Sequence, residues 1–282
     1  MKNYLIKLFT VVLLFTSYFA TAGGGWPQKK GKGFFKLGQS AIIANKYFDS
    51  DGNVIDITTI SLYTTSLYGE YGFTDRITAI AYVPFFVRST LNKTQNTQTG
   101  AIIPGDELNA FGDTDLGLKF GLTNNKPIAI SASIIFGLPL GKSALIDENF
   151  LQSGDGEFNQ IIMLDAGKGF NKWYLNAGIG FNNRTQGFSD EFRYTYEMGY
   201  TGYEKLLLTL KVNGVKPINN GSTYETIGNG VFANKVEYLA YGPEISYKIK
   251  DNFGVSGSAF FAVAAKRILA SPNFGVGLFY TL

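Results

Sequence analysis

Residues 273–282 constrain the chain most. Phe274, Val276, Leu278, Tyr280 and Leu282 share one parity, while Gly275, Gly277, Phe279 and Thr281 share the other. Successive side chains of a strand point to opposite faces, so this run is a strand with one continuous apolar face. An apolar-out strand at the end of the sequence, with an aromatic two residues before the last, reads as the closing strand of a membrane β-barrel. Its outward set, Phe274, Val276, Leu278, Tyr280 and Leu282, is the expected assembly signal, with Leu282 where such barrels usually carry phenylalanine. The strand should pair with the first one and abolish the sheet edge.

A barrel of this kind has to be exported. Lys2 and Lys7, an apolar segment from Leu8 to about Phe19, and Ala20-Thr21-Ala22 form the three-part layout of a signal peptide, expected over residues 1–22. No later apolar run reaches the roughly 18 residues of a membrane-spanning helix. A helix-free chain satisfies its backbone groups in lipid only by closing into a barrel. The net charge of +3 includes two signal-peptide lysines, so the rest is close to neutral. That argues against a nucleic-acid partner, whose phosphates need a concentrated basic surface. Histidine and cysteine are both absent, which excludes disulfides, thiolate chemistry, Ser-His-Asp triads and His-ligated metals.

Residues 23–33 are glycine-rich without periodicity and read as a loose periplasmic N-terminal tail, with a plug as the alternative. The barrel itself is expected over residues 34–282. Asp49, Asp51, Gly52 and Asn53 read as a turn, because the glycine comes too early for a calcium loop. In the strand after Thr74-Asp75, Ile77, Ala79, Ala81, Val83, Phe85 and Val87 face out, leaving Tyr82, Phe86 and Arg88 inward. In Gly112–Leu122, Leu116, Leu118, Phe120 and Leu122 face out while Asp115 and Lys119 face in. The same alternation sets Asp165, Tyr174, Arg193, Glu197, Lys211, Glu244, Lys248 and Phe260 inward. Short turns alternate with long polar loops such as Ser89–Phe111. The sum is an all-β fold: a transmembrane, antiparallel, up-and-down barrel of about twelve strands, of outer-membrane type, with both termini periplasmic.

The inward charges need partners, whether as a stiffening ion-pair network or as a selectivity lining. Inward aromatics fill a narrow barrel or line a path for an apolar solute. Pro84, Pro139 and Pro243 each remove a ladder donor and should mark bulges or kinks. No catalytic set, metal site or cofactor site is indicated.

Tyr71-Gly72-Phe73-Thr74-Asp75-Arg76, Gly112-Asp113-Thr114-Asp115-Leu116-Gly117-Leu118-Lys119 and Arg267-Ile268-Leu269-Ala270-Ser271-Pro272 resemble segments of the MetA-pathway of phenol degradation family of outer-membrane β-barrels. The resemblance runs through most of the chain beyond the signal peptide. It implies a non-enzymatic channel or transporter-like barrel in the cell outer membrane, for passive uptake of small solutes, including small aromatic or apolar compounds. The alternative is a structural or adhesive barrel acting through its extracellular loops. The partners implied are outer-membrane lipid, the barrel assembly machinery and a small-molecule solute.

Overall fold

The computed structural model describes residues 24–123, 126–143, 151–222 and 231–282. The expected signal peptide lies outside them, as do parts of the loops expected over 123–127, 141–157 and 217–233. In chain order the strands are β1 (Gly33–Phe48), β2 (Val54–Gly72), β3 (Ile77–Leu91), β4 (Thr94–Gln95), β5 (Ile102–Ile103), β6 (Asp106–Ala110), β7 (Thr114–Gly121), β8 (Ala129–Leu138), β9 (Asn159–Phe170), β10 (Trp173–Arg184), β11 (Glu191–Tyr200), β12 (Leu206–Pro217), β13 (Glu237–Lys250), β14 (Phe253–Lys266), β15 (Ile268–Leu269) and β16 (Asn273–Thr281).

Twelve of these are barrel staves, each pairing antiparallel with the next, and β16 closes the ring by pairing with β14 and β1. The seam runs from Phe34↔Thr281 to Ile42↔Asn273, so the last strand covers the free edge of the first. β6 continues the line of β7 along β3, and β4 with β5 forms a small separate hairpin in the longest loop.

Alternation explains the staves. Phe274, Val276, Leu278 and Tyr280 on β16, Ile162 and Leu164 on β9, and Ile245 and Tyr247 on β13 are all exposed on the outside, Val276 at 64%. In water so continuous an apolar belt would drive association; in lipid it meets its own kind. The opposite parity is polar and buried, with Ser131 and Ser133 on β8 and Asn176 on β10. Trp173 and Tyr200 pack 4.6 Å apart where β10 and β11 approach the turns, the position of an interfacial aromatic. The one buried apolar cluster among the described residues, Ala44, Ile60 and Leu269, joins the loop-end parts of β1, β2 and β15.

The acidic stretch after β1 is a turn: Asp49 accepts the N–H groups of Asp51 and Asn53, and Gly52 takes φ +89°. Pro84 sits at a bulge, because the β2–β3 register shifts between Thr65↔Phe86 and Leu67↔Val83. The extra residue inverts the parity of β3 beyond it. This overturns the inward placement of Phe86 and Arg88. Phe86 is 45% exposed and Arg88 pairs with Glu107 on the outer surface, while Val87 and Ser89 are buried. Pro243 falls in a gap of the β13–β14 ladder between Tyr241↔Phe261 and Glu244↔Ser258, but the register is the same on both sides, so it marks no bulge. Pro139 lies just past the end of β8 rather than inside a strand.

Candidate solute pathway

The expectation of a loose N-terminal tail is corrected by the contacts of residues 24–32. They form a strap across the lumen at the turn end. The strap is hinged on the barrel by Gly31 N–H to Gly72 O and Gly72 N–H to Lys32 O, at 2.8 and 2.9 Å. From there Gln28 donates its backbone N–H to Thr78 Oγ1 and its Nε2 to Glu70, Gly25 N–H donates to Asn176 Oδ1, and Ser131 Oγ donates to Gly24 O. Trp26 meets Tyr174 edge to face at 5.9 Å. Its ring lies over Gly167, where a Cβ would come within 2.4 Å. Glycine at that point leaves the room a strand residue would otherwise fill. An aperiodic segment is fixed here because lumen side chains satisfy its backbone.

Two ion-pair networks cross the lumen. In the first, Glu70, 1% exposed, accepts from Lys119 Nζ at 3.1 Å, Tyr68 Oη at 2.6 Å and Gln28 Nε2 at 3.1 Å. In the second, Glu244 takes Lys36 at 2.8 Å and Lys211 at 3.3 Å. Lys211 also reaches Glu197 at 3.4 Å, and Tyr174 donates to Glu197. Strands β1, β10, β11, β12 and β13 are thereby tied across the barrel by charge-assisted hydrogen bonds.

A third cluster sits at the loop end. Arg184 binds Asp155 at 2.8 Å, Glu191 at 3.4 Å and Glu157, and stacks over the Phe188 ring at 4.5 Å. Burial pushes the Asp155 and Glu157 carboxyls up to about 7, against the pull of the Arg184 guanidinium. Residues 151–154 are buried with them, so the segment folds inward over the mouth.

Between these networks lie two adjoining cavities. One, of about 400 Å³, is at the turn end on the side away from the strap, lined by Phe34, Phe279, Leu207, Ser246 and Lys248 among others. The second, of about 480 Å³, extends toward the loops and is bounded by Gly24 of the strap. Tyr68, Tyr82, Glu197, Lys211 and Glu244 line both. The strap's hydrogen bonds go to β2, β3, β8 and β10, so it covers one side of the opening and leaves the β12, β13 and β16 side clear.

Of the residues assigned inward from the sequence, Tyr82, Glu197, Lys211 and Glu244 line both cavities. Asp115, Lys119, Asp165 and Phe260 line the larger one only, and Tyr174 and Lys248 the smaller. Arg193 points inward but is held by Glu191 at 2.7 Å, outside both linings. Phe86 and Arg88 face outward, as shown above. Sequence reasoning missed Lys36, Tyr68, Gln28 and Arg184. The first two were readable from the alternation, since Lys36 shares parity with Phe34 and Tyr68 with Glu70. The strap contacts left no periodic signal.

The sequence profile of the family described as "Putative MetA-pathway of phenol degradation" matches residues 39–276. Among solved structures, the COG4313 outer membrane channel from Pseudomonas putida F1 superposes with a TM-score of 0.68 at 11% identity, covering 92% of this chain and 98% of that one. The translocator domain of autotransporter NalP from Neisseria meningitidis gives 0.52 at 11% identity, covering 99% and 94%. At these identities the likeness is one of fold. Curated proteins yield no match.

Proposed function

The chain belongs to the MetA-pathway of phenol degradation family and is an outer-membrane barrel, and from this we propose a channel for passive uptake of small solutes, among them small aromatic or apolar compounds. The observation that carries the reading is the pair of adjoining lumen cavities sharing five lining residues, which makes a stepwise path past one side of the strap. The turn end is then periplasmic, as the short connections of such barrels are. Phe34 stacks on Phe279 at 5.9 Å and meets Tyr68 edge to face, so the turn-end cavity is aromatic on one wall and charged on the other. An aromatic ring can slide along such a wall while polar groups keep the lumen wet.

The test is single-channel recording of the refolded barrel in planar bilayers, with phenol-sized solutes as blockers of ionic current. Discrete conductance steps that small aromatics block in a concentration-dependent way support the reading. A folded barrel without conductance sinks it.

A second reading, a barrel acting through its loops, is favoured by the β4–β5 hairpin. Ile102 and Ile103, which form its second strand, are 67% and 58% exposed. Removing residues 92–105 would abolish surface binding under this reading and leave conductance unaltered.

A further inference from the structure

The charge in the larger cavity is not balanced. Among the described residues five carboxylates line it, Glu70, Asp115, Asp165, Glu197 and Glu244, against two ammonium groups, Lys119 and Lys211. Glu70, Glu197 and Glu244 are spoken for by Lys119, Lys211 and, from the smaller cavity, Lys36. Asp115 and Asp165 make no ion pair or hydrogen bond among the described residues. The cations whose fields reach them, Arg193 and Lys119, are already bound by Glu191 and Glu70.

Asp165 is the informative one, because it is only 8% exposed and yet lines the cavity. Its carboxylate projects across Gly178, where a Cβ would lie 2.2 Å from Oδ1. The neighbouring strand thus leaves space for that acid. A nearly enclosed carboxylate without a partner is costly and, at membrane depth, marks a pathway or a ligand. Rings of unpaired acids are how cation pathways are built. Two tyrosines, Tyr68 and Tyr82, line the same space and offer ring faces that attract cations. The next cavity along the path is lined by Lys36, Lys211 and Lys248 with Glu197 and Glu244 and lacks that acidic excess.

We propose that the larger chamber is a selectivity site for small organic cations carrying a primary ammonium group, read by Asp165 and Asp115. This rests on the channel reading and adds a substrate class to it. Three solutes of nearly equal size and different charge serve as probes: ornithine, glutamine and glutamate. Their permeation is followed by swelling of liposomes that contain the full mature barrel. Ornithine should pass fastest and glutamate slowest, and the reversal potential in a potassium chloride gradient should lie on the cation side. Asp165→Asn and, separately, Asp115→Asn should each lower the ornithine-to-glutamate ratio by about tenfold, because one charge across roughly 6 Å of water exerts a factor of about three on each solute and in opposite directions. Heat-modifiable mobility on a gel verifies that each variant is folded. Equal passage of all three solutes, or a ratio unmoved in both folded variants, overturns the cation site and leaves the channel standing. Exclusion of all three, glutamine included, overturns both.

Discussion

Replacing Lys119 with methionine isolates the energetics of the lumen. The ammonium is 3% exposed and its partner Glu70 carries a side chain that is 0% exposed. Removing the cation strands a carboxylate that keeps only Tyr68 Oη and Gln28 Nε2 as donors. Breaking a buried pair from one side costs about 3–5 kcal/mol, whereas replacing both members costs far less. Lys119→Met should therefore destabilise the barrel by about 3–5 kcal/mol, and the Glu70→Gln, Lys119→Met double variant by about 1–2 kcal/mol, the scale of ordinary lost hydrogen bonds. Lys119→Met should thus be about 2–3 kcal/mol less stable than the double variant, and Glu70→Gln alone completes the cycle that reads the coupling. Urea unfolding from lipid vesicles measures it. The two tryptophans report separately, Trp26 from the strap and Trp173 from the outer belt, and single-tryptophan variants tell them apart. A loss below about 1 kcal/mol in Lys119→Met, with no coupling to Glu70, would mean that water solvates the pair and that the networks do not stiffen the lumen.

The strap, the loop-end cluster and the seam give three further expectations. Gln28→Ala should loosen the strap by about 1–2 kcal/mol and deletion of residues 24–32 should raise single-channel conductance; conductance equal to that of the intact barrel would show that the strap does not obstruct the path. The Asp155 and Glu157 carboxyls, raised to about 7 from ordinary values of 3.8 and 4.5, stabilise the infolded segment fully below about pH 4 and lose that contribution as pH rises through 7. Hydrogen exchange over residues 151–158, corrected for its intrinsic rate, should then be slower at pH 5.5 than at pH 8, and the opposite order refutes the assignment. Tyr280→Asp with Leu282→Asp should leave unassembled protein, since both side chains face outward; a normal heat-modifiable band would remove them from the assembly signal.

What the sequence revealed and what it withheld have separate physical causes. Parity along a strand is local, so the outward sets of β7, β10 and β16 were readable residue by residue. Parity across Pro84 was not, because one bulged residue exchanges the two faces, and Phe86 and Arg88 moved outside with it. Which acid meets which base depends on stagger around the ring. Lys36 and Glu244 stand 208 positions apart, and no local pattern announces their contact. The strap was hidden for another reason. Its order comes from hydrogen bonds donated and accepted by Thr78, Ser131 and Asn176, with no contribution from any propensity of its own.

The strap also fixes an order of events in time. It runs directly into Gly33, the first residue of β1, and β1 is the stave that meets β16 at the seam. Once that seam zips, the strap is enclosed by a wall it is covalently part of. Its docking is then intramolecular, at the high effective concentration a short tether confers. Sealing the ring and seating the obstruction are thus steps of one assembly event, and a seam slipped by two residues would carry the strap's hydrogen-bonding groups out of reach of their partners. The barrel in this way inspects its own closure: correct register along β1 and β16 is the condition under which the opening becomes partly covered.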